Sequence, residues 1–341
     1  MASPGEGDLA LALEALLRQA GSANDGDTVA RLEHLTGGAN METWRFELRG
    51  ADRAISRSLI LRRRPAGMSS HEMLPPPLSL ATEARLLNLA GRAGVPVPTV
   101  LAVSEATSDL GEALVMTCLD GEALPQHLLR AEDFATARRR LAFQCGESLG
   151  RLHGISPADL PGELRDLSWE ADLDRLQALS DYFGNVSPAH QLAINWFRRQ
   201  PAPQSPRVLC HGDFRNGNLL VGPGGLQGVL DWELAHVGFA AEDLGYLCAR
   251  VWRFGGEPPV GGFGSYEDLL AGYCSVGAYQ PTIRELRFWE LYAALGWGLV
   301  CLTMRELHRS GADPGLERAA VGRRLCESEI DILLLLEDLD P

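Results

Sequence analysis

The sequence predicts an α+β protein, with a strand-rich N-terminal part of residues 1–117 and a mainly helical part of residues 118–341. In the first third, short apolar runs alternate with polar residues and are separated by glycine and proline, as is typical of strands. From about residue 132, apolar residues recur at the spacing of helices. A chain of 341 residues is also long enough for two lobes with separate cores.

The N-terminal part is predicted to contain five strands and two helices. Residues 8–20 carry leucines at helical spacing, which indicates a short amphipathic helix. Trp44, Phe46 and Leu48 alternate with polar residues, as in a half-buried strand. The predicted strands are residues 29–35, the run around 44–48, 58–62, 94–103 and 113–116, and the second helix is 80–89.

The C-terminal part is predicted to be helical around a short strand and a hairpin. Residues 208–210 form an apolar strand, and residues 219–221 and 226–230 flank a glycine-rich turn. The apolar stretch 291–304 is too short to cross a bilayer and indicates a buried helix. The predicted helices run from about 132 to 153 and over 171–183, 187–199, 240–252, 266–275, 282–309 and 315–338.

Composition and charge exclude several classes of function. A net charge of −14 argues against nonspecific nucleic-acid binding, and no secretory signal or membrane span is visible. All 31 basic residues are arginine, so the chain contains no lysine. Because no two cysteines have the close spacing of a metal-binding or disulfide motif, they are expected to be free thiols in a reducing cytoplasm rather than zinc ligands. They stand at 118, 145, 210, 248, 274, 301 and 326.

Three oxygen-bearing side chains carry the chemistry that the sequence predicts. Asn218 follows Asp213 by five positions, and Asp231 comes at the exit of the predicted hairpin. Phosphoryl transfer from a nucleotide needs one acid that orients or deprotonates the attacking hydroxyl, and an amide oxygen with a second acid that hold magnesium. Asp213, Asn218 and Asp231 fit those roles in that order.

These residues also carry a family resemblance. Residues 211–218 match the motif His-Gly-Asp-x-x-x-x-Asn, and Asp231 matches the metal-binding aspartate, of the aminoglycoside phosphotransferase family, a branch of the protein-kinase-like fold. The run 207–255 is similar to bacterial phosphotransferases related to the kinase domains fused to some acyl-CoA dehydrogenases. The resemblance covers roughly residues 28–335. At positions 238–240 the chain departs from it, with Gly-Phe-Ala in place of Gly-Asp-Pro.

The resemblance implies a bilobal fold, with an antiparallel sheet and one main helix in the small lobe, that binds Mg-ATP between its lobes. A loop with Gly37, Gly38 and Asn40 would cover the phosphates. Arg62, at the end of a strand, would replace the missing lysine and pair with Glu83, as in the kinase lysine–glutamate pair. Arg63 and Arg64 are alternatives for that cation, and an exposed basic strand end is another interpretation.

Further residues take roles that the resemblance implies. Residues 117–121 would form the hinge between the lobes, where adenine would bind through backbone groups, and Met116 and Cys118 are the nucleotide-binding candidates there. Arg215 is expected to contact the γ-phosphate, with a surface salt bridge as the alternative. Asp243 would support the catalytic loop from a neighbouring helix. His211 is expected to make a structural hydrogen bond rather than to bind a metal.

The expected function is a cytoplasmic phosphotransferase that moves the γ-phosphate of ATP to a hydroxyl of a small molecule. Aminoglycosides are one possible acceptor class, and a hydroxyacyl thioester is another. A nucleotide-binding pseudokinase is the competing hypothesis, because the clamping lysine is absent. Retention of Asp213, Asn218 and Asp231 favours catalysis. Neither the acceptor nor the oligomeric state follows from the sequence.

Overall fold

The computed structural model describes residues 6–35, 41–50, 56–64, 77–108, 110–277 and 279–340. The predicted phosphate-covering loop with Gly37, Gly38 and Asn40 lies outside these residues. The described chain separates into two compact units, the first ending at Asp120 and the second beginning at Gly121. The lobe boundary expected between residues 117 and 118 stays a prediction.

The first unit is an antiparallel five-stranded sheet with two helices. The strands lie in the order β1-β2-β3-β5-β4. Leu9, Leu13 and Leu17 of the first helix are buried against apolar side chains of the sheet, which is why their spacing reads as helical. The elements are α1 (Glu6–Gln19), β1 (Thr28–Leu35), β2 (Glu42–Arg49), β3 (Ser56–Arg63), α2 (Leu80–Arg92), β4 (Val100–Ser104) and β5 (Ala113–Thr117).

The second unit is mainly helical, which confirms the predicted α+β class. Its aromatic core includes Trp169, Phe197 and Trp289. Its helices are α3 (Pro125–Arg130), α4 (Ala135–His153), α5 (Trp169–Tyr182), α6 (Pro188–Arg199), α7 (Ala240–Cys248), α8 (Tyr266–Val276), α9 (Ile283–Ser310), α10 (Leu316–Gly322) and α11 (Leu325–Leu339). Its strands are β6 (Arg207–Cys210), β7 (Leu219–Gly222), β8 (Gly225–Val229) and β9 (His236–Phe239).

Two small antiparallel sheets position the predicted catalytic loop. The hairpin of β7 and β8 is present as expected, and β6 pairs with β9. Residues 211–218 connect β6 to β7, and residues 230–235 connect β8 to β9. Both connections therefore leave paired strands whose positions are fixed by backbone hydrogen bonds.

Several predicted boundaries were wrong. The single helix expected over 315–338 is two helices, α10 and α11, because the N–H groups of Arg323 and Arg324 bond to carbonyls three residues back instead of four, which tightens the chain and ends α10. The helix expected over 240–252 ends at Cys248, and a short 3-10 turn follows. The carbonyl of Cys248 accepts hydrogen bonds from Nε and Nη2 of Arg253, which replaces the next helical turn.

The long helix α9 shows how local sequence fixes an element. Thr282 and Glu285 form a capping box at its N-terminus, in which each side chain accepts from the other's backbone N–H. Gly311 ends the helix at φ 79°, a left-handed conformation that favours glycine. Among the described residues, no helix combines the length and the apolar character that crossing a bilayer requires.

Candidate active site

The loop between β6 and β7 makes a sharp turn that only glycine accommodates. Gly212 has φ 79°, and a Cβ at that position would lie 2.4 Å from the carbonyl oxygen of Leu234. The turn therefore needs both a left-handed backbone and close approach to the segment that follows β8. It brings the two connections together at one end of the small sheets.

Asp243 of α7 fixes this turn through hydrogen bonds to its backbone. Its fully buried carboxylate accepts hydrogen bonds from the backbone N–H of His211 at 2.7 Å and of Gly212 at 3.0 Å. His153 Nε2 lies 3.3 Å from the same carboxylate. Burial would raise the pKa of Asp243, but the hydrogen bond and charge of His153 and the donors from the loop hold it below its ordinary value. The carboxylate therefore stays ionised and fixes the loop.

His211 makes hydrogen bonds within the site. Its Nδ1 accepts from the backbone N–H of Asp213 at 3.2 Å, so Nε2 is the nitrogen that donates to the Leu230 carbonyl at 3.1 Å. Burial lowers the pKa of His211, so the ring is neutral and keeps this tautomer. The ring also packs against Trp232, at 4.7 Å between ring centroids. His211 thus joins the catalytic loop to the segment that carries Asp231.

Asp213 accepts hydrogen bonds from three side chains. Tyr246 donates to Oδ1 at 2.8 Å, Asn218 Nδ2 to Oδ2 at 2.6 Å, and Arg215 Nε lies 3.1 Å from both oxygens. Burial raises the pKa of Asp213, and the charge of Arg215 and the hydrogen bond from Tyr246 offset this only in part. A carboxylate has about four acceptor positions, so it can still accept a hydrogen bond from a substrate hydroxyl.

Arg215 lies between the aspartate and an aromatic surface. Its guanidinium stacks over the ring of Trp252, at 4.6 Å from the centroid, while Nε pairs with Asp213. The ring of Tyr246 lies 5.6 Å from that of Trp252. Trp297 continues the aromatic surface, at 5.1 Å from Trp252. The side chain of Arg215 is thus held in a partly buried ion pair, not in the exposed salt bridge that was the alternative.

Asn218 and Asp231 lie at the same end of the hairpin. The backbone N–H of Leu230 donates to the carbonyl of Asn218 at 2.9 Å, directly beyond the pairing of Leu219 with Val229. The amide NH₂ of Asn218 donates to Asp213, so its side-chain oxygen is the atom suited to a cation. Asp231 has φ 66°, an unusual value for a non-glycine residue that is common at functional sites. An amide oxygen and a carboxylate fit magnesium, which prefers oxygen ligands.

In the first unit, the ion pair expected between Arg62 and Glu83 is present. Nη1 of Arg62 lies 2.9 Å from Oε2 of Glu83, whose side chain is 1% exposed. Arg63 pairs instead with Glu42 at 2.6 Å. The structure therefore joins the acid of α2 to Arg62.

Arg64 and the two residues predicted to contact the nucleotide at the hinge have other surroundings. Arg64 Nε donates to Glu112 at 2.8 Å and its Nη2 to the carbonyl of Leu78, so it joins the residue before β5 to the segment that precedes α2. Met116 is a buried residue of β5. The N–H of Cys118 donates to the carbonyl of Ser58 at 3.1 Å, which commits that backbone donor within the sheet.

Two features of the site were not predicted from the sequence. Tyr246 donates directly to Asp213, and its position three residues after Asp243 on α7 was the available signal, because residues three apart share a helix face. Asn216 is buried and donates from Nδ2 to the carbonyl of Gly261 at 2.8 Å. Its link to a distant glycine-rich loop has no local signature.

Sequence spacing also missed two groups of buried or half-buried residues of the types that bind metals. His153, Cys210 and Asp243 form one group, and Cys210, His236 and Glu242 form the other, each with candidate ligand atoms within 4.8 Å of one another. Burial raises the pKa of the Cys210 thiol well above its ordinary value, which disfavours the thiolate that a metal needs. Hydrogen bonds already engage the other members: His153 with Asp243, and His236 with Glu242.

Comparison with known proteins places this geometry in a family. The profile of the phosphotransferase enzyme family matches residues 31–289. Acyl-CoA dehydrogenase family member 10 of Mus musculus is 25% identical over 279 residues, which are 75% of this chain and 25% of that protein. The chain thus spans about a quarter of the length of this curated relative.

Solved structures share the fold. A provisionally assigned aminoglycoside phosphotransferase from Ralstonia eutropha JMP134 has a TM-score of 0.72 at 18% identity, over 96% of this chain and 98% of that one. Macrolide 2'-phosphotransferase from Brachybacterium faecium has a TM-score of 0.57 at 23% identity, over 88% and 96%. A spectinomycin phosphotransferase crystallised with ADP and spectinomycin has a TM-score of 0.63 at 14% identity, over 98% and 99%.

Proposed function

Because the chain belongs to the phosphotransferase enzyme family, we propose that it is a small-molecule kinase that transfers the γ-phosphate of ATP to an alcohol group with magnesium. The observation that carries the proposal is the arrangement around Asp213. One nearly buried carboxylate, one amide oxygen and one carboxylate at a strained backbone position converge on neighbouring ends of two small sheets. Phosphoryl transfer requires this set of groups.

In this mechanism, Asp213 accepts the hydrogen of the substrate hydroxyl and aims its oxygen at the γ-phosphorus. Aim matters more than basicity, because the transition state of phosphoryl transfer is loose. The three donors around Asp213 hold its carboxylate in one orientation. The side-chain oxygen of Asn218 and the carboxylate of Asp231 would hold magnesium, which neutralises charge on the phosphates when bound.

The arginines supply positive charge to the phosphates. Arg62, steadied by the buried Glu83, would bind the α- and β-phosphates in place of a lysine. Arg215 keeps its Nε on Asp213, and its remaining donors would reach toward the transferred phosphoryl group. Gly37, Gly38 and Asn40 are proposed to cover the phosphates, and residues 116–118 to contact adenine.

Nucleotide use draws support from a relative of similar fold. The spectinomycin phosphotransferase is bound to ADP. For the acceptor, the curated relative keeps a hydroxyacyl thioester among the candidates beside an aminoglycoside. Both are alcohols, so the chemistry at Asp213 is the same for each. The acceptor class then depends on the surface next to the catalytic loop.

Turnover with a panel of hydroxyl compounds tests the proposal. The purified chain is incubated with ATP and Mg²⁺, and both ADP and phosphorylated product are measured. We expect product with at least one alcohol, complete dependence on Mg²⁺, and a raised Mg²⁺ requirement in Asp231→Asn. Nucleotide binding without product on any compound would instead favour the pseudokinase, which the absence of lysine supports.

A further inference from the structure

A groove of about 560 Å³ lies in the second unit, beside the loop 254–263. Its volume falls in the range of small-molecule sites. One wall comes from the end of α3 and the start of α4, and the other from the glycine-rich loop. The roles assigned to Asp213, Asn218 and Asp231 make no use of this groove.

Positive charge is concentrated in this groove although the whole chain carries a net charge of −14. Arg130, Arg138 and Arg139 line it, and the single acid in its lining is Glu257. Within the described part of the chain, no carboxylate forms an ion pair with any of these three arginines. Elsewhere in the second unit, arginines such as Arg198 and Arg207 do pair with acids. The groove is therefore a local site for an anion.

Arg138 is held in place before any ligand binds. Its Nη1 donates to the carbonyl of Leu128 at 2.8 Å and to that of Ala131 at 2.7 Å. These bonds tie α4 to the end of α3 and fix the guanidinium, which lowers the entropy cost of binding an anion. Arg130 and Arg139 are exposed and extend the positive surface.

The opposite wall is apolar and shaped by its own backbone. Phe254 and Phe263 line the groove. Phe254 has φ 46° and Gly262 has φ 80°. A Cβ added at Gly262 would lie 2.3 Å from the carbonyl oxygen of Arg253. The loop is thus tightly folded rather than free to fill the groove. Arginines facing phenylalanines suit an organic anion with an apolar or aromatic part.

The groove is connected to the catalytic loop on both walls. Asn216, three residues after Asp213, donates to the carbonyl of Gly261 at 2.8 Å. On the other side, a Cβ at Gly217 would lie 3.7 Å from the ring of Pro125, in the first turn of α3. Both walls therefore have a fixed relation to the residues around Asp213.

We propose that this groove binds the acceptor through an anionic group, so that the substrate is an alcohol carrying a carboxylate or phosphate on an apolar body rather than a polycation. This inference rests on the proposed phosphotransferase function. The anion would contact Arg130, Arg138 and Arg139, and the apolar part would pack on Phe254 and Phe263. The hydroxyl would then extend toward Asp213.

Binding of phenyl phosphate without nucleotide tests the groove separately from catalysis. The double variant Arg130→Glu/Arg139→Glu should weaken calorimetric binding at least tenfold. Arg140→Glu/Arg199→Glu is the matched control, because it makes the same change in net charge at exposed positions outside the groove, and it should change binding less than twofold. Equal affinity in the two variants, or no binding by the unmodified chain, would overturn the inference.

A comparison of two ligands tests the apolar wall of the groove. Inorganic phosphate should bind more weakly than phenyl phosphate, because it lacks a ring to pack on Phe254 and Phe263. Equal affinities would rule out the apolar part of the proposal.

Turnover on hydroxy acids and on their methyl esters then separates the two proposals. We expect the acids to be phosphorylated preferentially, with KM for the acid raised at least tenfold in Arg130→Glu/Arg139→Glu and KM for ATP unchanged. Turnover that favours the esters or aminoglycosides would overturn the groove assignment and leave the phosphotransferase function intact. Tight phenyl phosphate binding that the groove variant abolishes, with no turnover on any alcohol, would support the groove and refute the proposed function.

Discussion

Each of the two units contains a largely buried ion pair between an arginine and a carboxylate, and the two pairs differ in which partner the surrounding contacts orient. In the first unit, Glu83 is almost fully buried, and Arg62 is the partner with more exposed surface, 14% against 1%. In the second, Arg215 joins Tyr246 and Asn218 as donors around one aspartate, Asp213. In the first pair the buried acid orients the arginine, and in the second pair the arginine helps to orient the acid.

This difference suggests how to identify the working group in such a pair. In the first pair the difference in exposure indicates which partner can reach a ligand. In the second pair Arg215 is 23% exposed and Asp213 12%, so the indication there is that three donors converge on the carboxylate. We therefore expect Arg62 to contact phosphate and Glu83 to orient it. Asp213 has acceptor capacity left for a hydroxyl, and the residues around it orient it. Substitutions in the two pairs should therefore affect different kinetic constants.

The largest effect is expected at Asp213. Asp213→Ala should lower kcat by about a thousandfold, because no group remains to orient or accept the proton of the hydroxyl. Nucleotide affinity, measured by calorimetry, should change by less than about threefold. Substantial turnover in this variant would show that Asp213 is not the residue that receives the hydroxyl.

A substitution at Asp243 tests support of the catalytic loop, and its main effect is expected on protein stability. Asp243→Asn should lower the free energy of unfolding at pH 7 by about 3 kcal/mol, because an amide cannot accept as well from two backbone N–H groups. Asp174→Asn, in an exposed pair with Arg198, is the control and should cost less than about 0.5 kcal/mol. Urea denaturation measures both values.

The pH dependence gives the sign of the Asp243 contribution. Its pKa is lowered in the folded state, so its stabilising effect is complete above the ordinary pKa of about 3.9 and is lost as pH falls through the folded value. The stabilities of the unmodified chain and Asp243→Asn should therefore converge only below about pH 4. A difference that already disappears near pH 6 would contradict this account.

A smaller effect is expected at the cation of the first unit. Arg62→Ala should raise KM for ATP about tenfold, since a charge-assisted contact to phosphate is lost. Arg64→Ala is the comparison, because Arg64 pairs with Glu112 and is assigned no contact with nucleotide. If Arg64→Ala weakens ATP and Arg62→Ala does not, the assignment of the cation is wrong.

The smallest effect is expected at Tyr246, which acts through Asp213. Tyr246→Phe removes one of three donors and should lower kcat about threefold to tenfold, with KM for ATP unchanged. Tyr266→Phe, which removes a hydroxyl that donates to Glu290 instead, is the matched control and should leave kcat near its original value. Equal losses in the two variants would point to a general structural effect.

The sequence predicted the elements whose pattern is local. Trp44, Phe46 and Leu48 gave β2 by alternation, and the glycine turn at 222–225 gave the hairpin that ends near Asn218 and Asp231. Strand β9 was missed because it has four residues and owes its conformation to pairing with β6. The split of the C-terminal helix was missed because arginine, a good helix former, occupies both positions between α10 and α11.

The candidate site divides in the same way. Asp213, Asn218 and Asp231 were visible because a loop and a hairpin fix their spacing along the chain. Trp252 and Asn216 became visible only through tertiary contacts, since each meets its partner across tens of residues, and Tyr246 had only the weak signal of its helical spacing from Asp243. Roles at such positions need coordinates.

The use of arginine alone as the basic side chain has a chemical consequence. Acylating and aldehyde reagents react with amines, so they can label a kinase that has a lysine near its nucleotide. Here arginine stands in place of lysine throughout, and its guanidinium stays protonated at all ordinary pH values and reacts poorly with such electrophiles. Surveys that detect kinases by amine labelling should therefore pass over this protein, however active it is.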